Sequence, residues 1–202
     1  MRHPLALTLL CSALLLAACE TSSLTEEEKA PVPEIETPYL GGTKEIDRTQ
    51  SRISFVGKSN IINHEGKFSE YTATITLDST NPADLTKAKI EAEIDIASVS
   101  TDALGLNGHL LKEEFFSVEK FPKATFVSTS IVSKGGNLYT VNGDLTMKGT
   151  TKTIAFDAEI TDAALTASYD LPRKDFGIGN DSYGNKLLEE LVPVSIKLVF
   201  VQ

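Results

Sequence analysis

The chain has 202 residues, 28 acids against 19 lysines and arginines, three histidines, two cysteines and no tryptophan. That length suits about one domain after processing, and so few cysteines exclude a disulfide scaffold. A formal charge of -9 with no basic stripe excludes nucleic acid as a partner.

Met1–Ala18 begins with Arg2 and runs apolar from Leu5 to Ala18. The run is too short to span a bilayer and reads as a secretory signal. Leu16-Ala17-Ala18-Cys19 has the small residues and the cysteine of a bacterial lipoprotein cleavage site. Cys19 is then the expected lipidation site, carrying palmitate-type acyl chains as a membrane anchor. Cys11 leaves with the signal, so the mature chain has no second thiol. Glu20 stands where an aspartate would favour inner-membrane retention in enteric-type bacteria. The expected address is therefore the cell envelope, at the outer membrane and facing the periplasm.

Residues 19–43 read as a disordered acidic tether, with Pro31, Pro33, Pro38, the run Glu26–Glu28 and the pair Gly41-Gly42. Residues 20–43 extend at most ~80 Å. Removing Arg2 and a tether with six acids against one lysine leaves the globular part, 44–202, near -5.

Alternation with period two recurs through 44–202. It places strands at Gln50–Lys58 (Ile53, Phe55 inward), Lys67–Asp78 (Ala73, Ile75, Leu77) and Ala88–Ile96 (Ile90, Ala92, Ile94). Further strands follow at Lys123–Ile131 (Phe126), Asn137–Met147 (Tyr139, Val141, Leu145), Thr153–Ile160 (Ile154, Phe156) and Ala164–Leu171 (Leu165, Tyr169). Leu191–Val201 is the last, and Pro193 is tolerable there only near its start or at an edge. Turn residues separate the strands at Asn63–Gly66, Asn81-Pro82, Lys134–Asn137, Lys148-Gly149 and Thr161-Asp162.

Between the third and fourth strands the pattern changes. Ser100, Thr101 and Asp102 suit a helix cap, and Leu104, Leu106, Leu110 and Leu111 follow. Gly105 and Gly108 predict a short helix, and Pro122 ends the insert. The fold class is therefore all-β with a short helical insert. The economical arrangement is an eight-stranded antiparallel lipocalin-like barrel, since closure removes exposed edges. The insert would lie across one end with Leu110, Leu111, Phe115 and Phe116 facing inward. A two-sheet sandwich satisfies the same alternation.

Catalytic and metal signals are weak. His64 and His109, without a cysteine, make a poor metal site. His64 reads as a surface residue in a turn, and His109 as a hydrogen-bonded structural residue. Ser98, Ser100 and Thr101 lie near His109, but no nucleophile elbow, phosphate-cradling loop or dinucleotide fingerprint is present. No cofactor is expected. Arg173 either meets a ligand's phosphate or carbonyl oxygen at the barrel mouth, or anchors a loop.

The stretches IDIASVSTD (94–102), HLLKEEFFSVEKFPKATFVS (109–128), YTVNGDLTMKGTTKTIAF (139–156) and RKDFGI (173–178) occur in this order. Together with Phe55–Lys58 and His64–Phe68, they resemble the YceI-like family of polyisoprenoid-binding, lipocalin-like envelope proteins across nearly all of 44–202. The resemblance implies an elongated apolar tunnel for a long isoprenoid chain, such as a polyprenyl carrier or a quinone tail, and a possible homodimer. Tunnel lining is expected from Phe55, Ile75, Ile94, Ile96, Leu110, Phe116, Phe126, Tyr139, Leu145, Phe156, Tyr169 and Phe176, with head-group contacts from His109 and Arg173. The leading expectation is a non-catalytic lipid binder for storage or transport. A solid barrel serving as an interaction module, and an enzyme using His109 with Arg173 on a lipid head group, are the alternatives.

Overall fold

The computed structural model describes residues 42–179 and 187–201, and all that follows concerns these. The signal segment, Cys19 and nearly all of the tether lie outside them. Eleven strands form one antiparallel sheet in the order β1-β4-β5-β7-β8-β9-β10-β11-β2-β3-β6. They are β1 (Thr43–Glu45), β2 (Arg52–Gly57), β3 (His64–Phe68), β4 (Tyr71–Thr76), β5 (Lys89–Asp95) and β6 (Val99–Thr101). The rest are β7 (Lys123–Gly135), β8 (Leu138–Met147), β9 (Thr150–Ile160), β10 (Ala164–Pro172) and β11 (Leu191–Val199).

The expected count of eight is thus corrected to eleven. The additions are the short strands β1, β3 and β6. Thr43, assigned to the tether, already pairs with Thr76. The segment around His64, expected as a turn, pairs with β2 from Gly57↔His64 to Ile53↔Phe68. β6 is split from β5 by a 3-10 turn, Ile96–Ser98.

These breaks also curl the sheet. Only Ser69 and Glu70 separate β3 from β4. Ser69 N–H donates to the Ser98 carbonyl, and Asp95 N–H donates to the Glu70 carbonyl. The bent pair β3/β4 and β5/β6 therefore runs side by side and stitches the two ends of the sheet together. Pro193 lies inside β11, opposite Asp170 of β10. The pairing of β11 with β2 begins one residue later, at Val194↔Phe55, so the missing N–H is tolerated.

The insert's helix is short, as Gly105 and Gly108 predict. α1 spans Leu104–Leu110, and hydrogen-bonded turns continue to Phe121. Its N-cap is Ala103, with no side-chain cap. Thr101, expected as part of a cap, belongs to β6, and the Asn107 side chain accepts from its N–H and hydroxyl instead. Leu110, Phe115 and Phe116 are buried as expected, and Leu111 packs at their edge.

Two apolar layers result. One closes the end of the barrel remote from the insert, with Ile53, Tyr71, Ile75, Ile90, Ile131, Val141, Ile160, Leu165, Leu198 and Phe200. The other lies beneath the insert and contains Ile96, Val99, Leu110, Phe115, Phe116, Met147, Leu171, Phe176 and Ile178.

Candidate functional site

Between the two layers the barrel is hollow. The chamber holds about 460 Å³ and is walled almost entirely by apolar side chains from β2, β5, β7–β11 and α1. Along β10 the inward positions run from Leu165 at the inner end to Leu171 beneath the insert, a depth of roughly 20 Å at ~3.3 Å per residue. Its floor is Ile53, Ile90, Leu165 and Leu198. Ile75, Val141, Ile160 and Phe200 pack solidly behind that floor. Among the described residues the chamber is therefore closed at this end, while its elongated apolar form is the one the resemblance implies.

Eight of the twelve expected lining residues face the chamber: Phe55, Ile94, Leu110, Phe116, Phe126, Leu145, Phe156 and Tyr169. The other four are placed elsewhere. Ile75 and Tyr139 belong to the closed end, where Ile75 pairs with Ile90 and Tyr139 pairs with Ala158. Ile96 and Phe176 are core residues under the insert, 2 % and 1 % exposed, off the chamber wall. Sequence reasoning did not single out Ile90, Leu165, Met147, Ile154 or Ile178 as lining. For the strand residues among them the same alternation marks wall and floor alike.

Two glycines keep the hollow open. Gly66 and Gly143 are buried and inward-facing. A Cβ on Gly66 would overlap the Phe55 ring, coming within 2.7 Å of Cε1 and Cε2. One on Gly143 would approach both Cε2 of Phe126 and the Val127 carbonyl oxygen to 2.6 Å. Each ring thus lies flat over a glycine against the wall instead of standing into the cavity. Aromatic contacts extend this lining. Phe126 meets Phe156 at 5.5 Å between centroids, Phe156 meets Tyr169 at 6.4 Å, and Phe55 meets Phe68 at 5.6 Å. Burial pushes the Tyr169 phenol above its ordinary value.

The opening is rimmed by Lys58, Ser59, Ile61, Ile62, His64, Leu106, Leu187 and Glu189. Ile61 and Ile62 are exposed. The 58–60 and 187–189 segments are joined by bonds from Asn60 N–H to the Leu187 carbonyl and from Glu189 N–H to the Lys58 carbonyl. Arg173, 4 % exposed, holds the second segment in place. Its guanidinium donates to the carbonyls of Glu189 (2.8 Å), Leu188 (3.0 Å), Ile178 (2.8 Å) and Gly179. The anchoring role is thus the one the structure displays, with backbone carbonyls as partners. His109 borders the chamber, stacks edge-on against Phe115 at 4.9 Å and lies 3.9 Å from Glu114.

His64, read from sequence as a surface turn residue, starts β3 and faces the chamber. Its Nδ1 donates to Asp102 Oδ1 at 2.8 Å, which ties the rim to the start of the insert. That hydrogen bond, supported by the Glu65 N–H, holds the Asp102 carboxyl below its ordinary range. A carboxyl depressed in the folded state adds stability above its unfolded pKa, and that stability is lost as pH falls through the folded pKa. Urea midpoints of the native chain and Asp102→Asn should differ at pH 5–6 and converge in acid. A gap independent of pH would assign the pair no ionic role.

Among the described residues, no cluster of three or more His, Cys, Asp and Glu side chains is placed to hold a metal ion. No buried side-chain nitrogen or oxygen there lacks a hydrogen-bond partner. The arrangement offers apolar contact, a polar rim and a tyrosine hydroxyl.

Comparison with known proteins agrees with this architecture. Residues 45–200 match the YceI-like domain. A UPF0312 protein of Photorhabdus laumondii is 34% identical over 156 residues, covering 72% of this chain and 77% of that one. Another from Yersinia enterocolitica is 35% identical over 140 residues, covering 64% and 69%. Among solved structures, Burkholderia cenocepacia BcnA superposes with a TM-score of 0.69 at 28% identity, covering 76% of this chain and 98% of that one. A polyisoprenoid binding domain from Saccharophagus degradans shares the fold, with a TM-score of 0.58 at 16% identity over 78% of this chain and 97% of that one. The strand order, the insert and the sequence match over 45–200 place this chain in the YceI-like domain family.

Proposed function

We propose that this chain binds the apolar chain of an isoprenoid-type lipid in its chamber, for storage or transport, without catalysis. The observation that carries the reading is the hollow itself: a barrel built only for rigidity would fill it with side chains. The name given to the Saccharophagus degradans domain, a polyisoprenoid binding domain, supports the same class of ligand. The enzymatic alternative needs Arg173 at a head group, yet its guanidinium is directed at four backbone carbonyls. Each five-carbon unit buried contributes ~4 kcal/mol gross at ~0.8 kcal/mol per carbon, reduced by the cost of ordering the chain. We also propose attachment to the envelope through lipidated Cys19, at the periplasmic face of the outer membrane.

Protein purified from its own membranes should carry about one equivalent of an apolar-chain lipid by native mass spectrometry and solvent extraction. Protein that is consistently empty, and that takes up no added lipid, would overturn the binding reading. Cys19→Ala should move the chain from the membrane to the soluble fraction, and unchanged fractionation would remove the anchor.

A further inference from the structure

The chamber's rim carries large aliphatic side chains that face water. Ile61 and Ile62 are 78 % and 57 % exposed, and Leu104, at the start of α1, is 88 % exposed. Leu187 is exposed beside them, its carbonyl bonded to the Asn60 N–H. The His64–Asp102 hydrogen bond keeps the start of α1 at this rim. Surface turns ordinarily carry polar residues. Here the Ser59 hydroxyl accepts from the Ile62 N–H at 3.0 Å and donates to the Ile62 carbonyl at 2.6 Å, so the turn bearing the two isoleucines is held in shape. Among the described residues nothing covers them, and such a patch marks an interaction surface.

We propose that the rim docks on the surface of a lipid bilayer, with Ile61, Ile62, Leu104 and Leu187 entering its interfacial layer. Three observations favour a bilayer. Ile61, Ile62 and Leu187 also line the chamber's opening, so one apolar surface runs from the exterior into the hollow. An apolar chain moving along it stays out of water. The rim carries both signs of charge, Lys58 with Glu189 and His64 with Asp102, in a chain that is acidic overall. Apolar insertion, and not attraction to anionic lipid, therefore supplies the binding. Finally, the chain enters the domain at the other end, where Ile46 bridges to Phe200 behind the floor. Residues 19–42 reach up to ~80 Å when extended, more than the ~36 Å of an eleven-residue strand such as β9. On the proposed Cys19 attachment, that length lets the mouth meet the membrane that holds the anchor. The docking goes beyond lipid binding, because it names the surface the mouth meets whatever the chamber holds.

The experiment is flotation with phosphatidylcholine vesicles, at low salt and in 0.5 M sodium chloride. The chain used begins at Glu20, so it lacks the acylated cysteine and keeps every described residue. It should float with the vesicles to the same extent at both salt concentrations. Ile61→Ser/Ile62→Ser should lower the partition coefficient roughly tenfold or more, and Leu104→Ser roughly threefold or more, since each removes exposed apolar area. Val132→Ser, an exposed aliphatic position next to Ile131 of the closed end, should leave it unchanged. Urea midpoints show whether each variant folds. Should the double variant fail to fold, Leu104→Ser decides alone, because that side chain is almost wholly in water. No flotation, flotation indifferent to the rim substitutions, or flotation abolished by salt overturns the docking. Dimers that Ile61→Ser/Ile62→Ser dissolves, without flotation, assign the rim to a second copy and overturn it as well. Uptake of added lipid by a chain that does not float overturns the docking alone and leaves the lipid-binding reading standing.

Discussion

Arg173→Ala should cost about 3–5 kcal/mol of unfolding free energy, the range for stripping a buried charged group from its partners. Four carbonyls, those of Leu188, Glu189, Ile178 and Gly179, accept from this one guanidinium. Truncation takes this donor from each of them in a region where Arg173 itself is 4 % exposed. Two of the four belong to the rim segment that bridges to Ser59. The same variant should therefore speed hydrogen exchange at the Asn60 and Glu189 amides, which bond across the rim. Arg173→Lys should recover only part of the stability. A single ammonium cannot reproduce the planar fork that reaches carbonyls on two sides. Urea denaturation of the three proteins checks this, and a loss below about 1 kcal/mol for Arg173→Ala would mean that water replaces the guanidinium.

Gly143→Ala should be the second most damaging change, costing about 1–3 kcal/mol through overpacking. The new methyl would meet the Phe126 ring and, at 2.6 Å, the Val127 carbonyl oxygen. A ring can swing away into the hollow, whereas a ladder carbonyl cannot move without breaking strand pairing. Gly66→Ala differs, because the three atoms nearest its Cβ all belong to the Phe55 ring. Trimming the ring should thus rescue one variant and not the other. Phe55→Leu should restore most of what Gly66→Ala loses, while Phe126→Leu should restore little of Gly143→Ala. A double-mutant cycle for each pair measures this. Both single variants should also bind lipid less well, since the displaced rings occupy the chamber. Equal rescue in the two pairs would show that the carbonyl contact relaxes freely.

These two predictions mark where the sequence was informative and where it was silent. Long alternating segments such as Lys89–Asp95 and Ala164–Pro172 were legible because one face is apolar and the other polar. β1 and β6, three residues each, are too short to alternate. β3 was hidden by Gly66, whose inward position carries no side chain to register as apolar. The insert was visible as a break in period, yet its caps were misplaced because Thr101 serves a strand. Within the site, Ile75 and Ile94 read identically in sequence, both β-branched and on inward faces. Only the depth of each along the barrel separates plug from wall. Arg173 was ambiguous for a different reason. A lone arginine beside a mouth can serve a ligand or the backbone, and the carbonyls it meets come from residues up to 16 positions away.

Among the described residues the chamber opens at the rim and is closed at the far end, so it would fill and empty by the same path. On the proposed reading, a lipid guest would enter tail first and leave its polar end beside Lys58 and His64, which lie at the rim. Handing it on requires backing out through that doorway, so a donor and a recipient must address the same aperture in turn. Relay between two sites would then proceed as two separate visits, with the slower departure setting its pace.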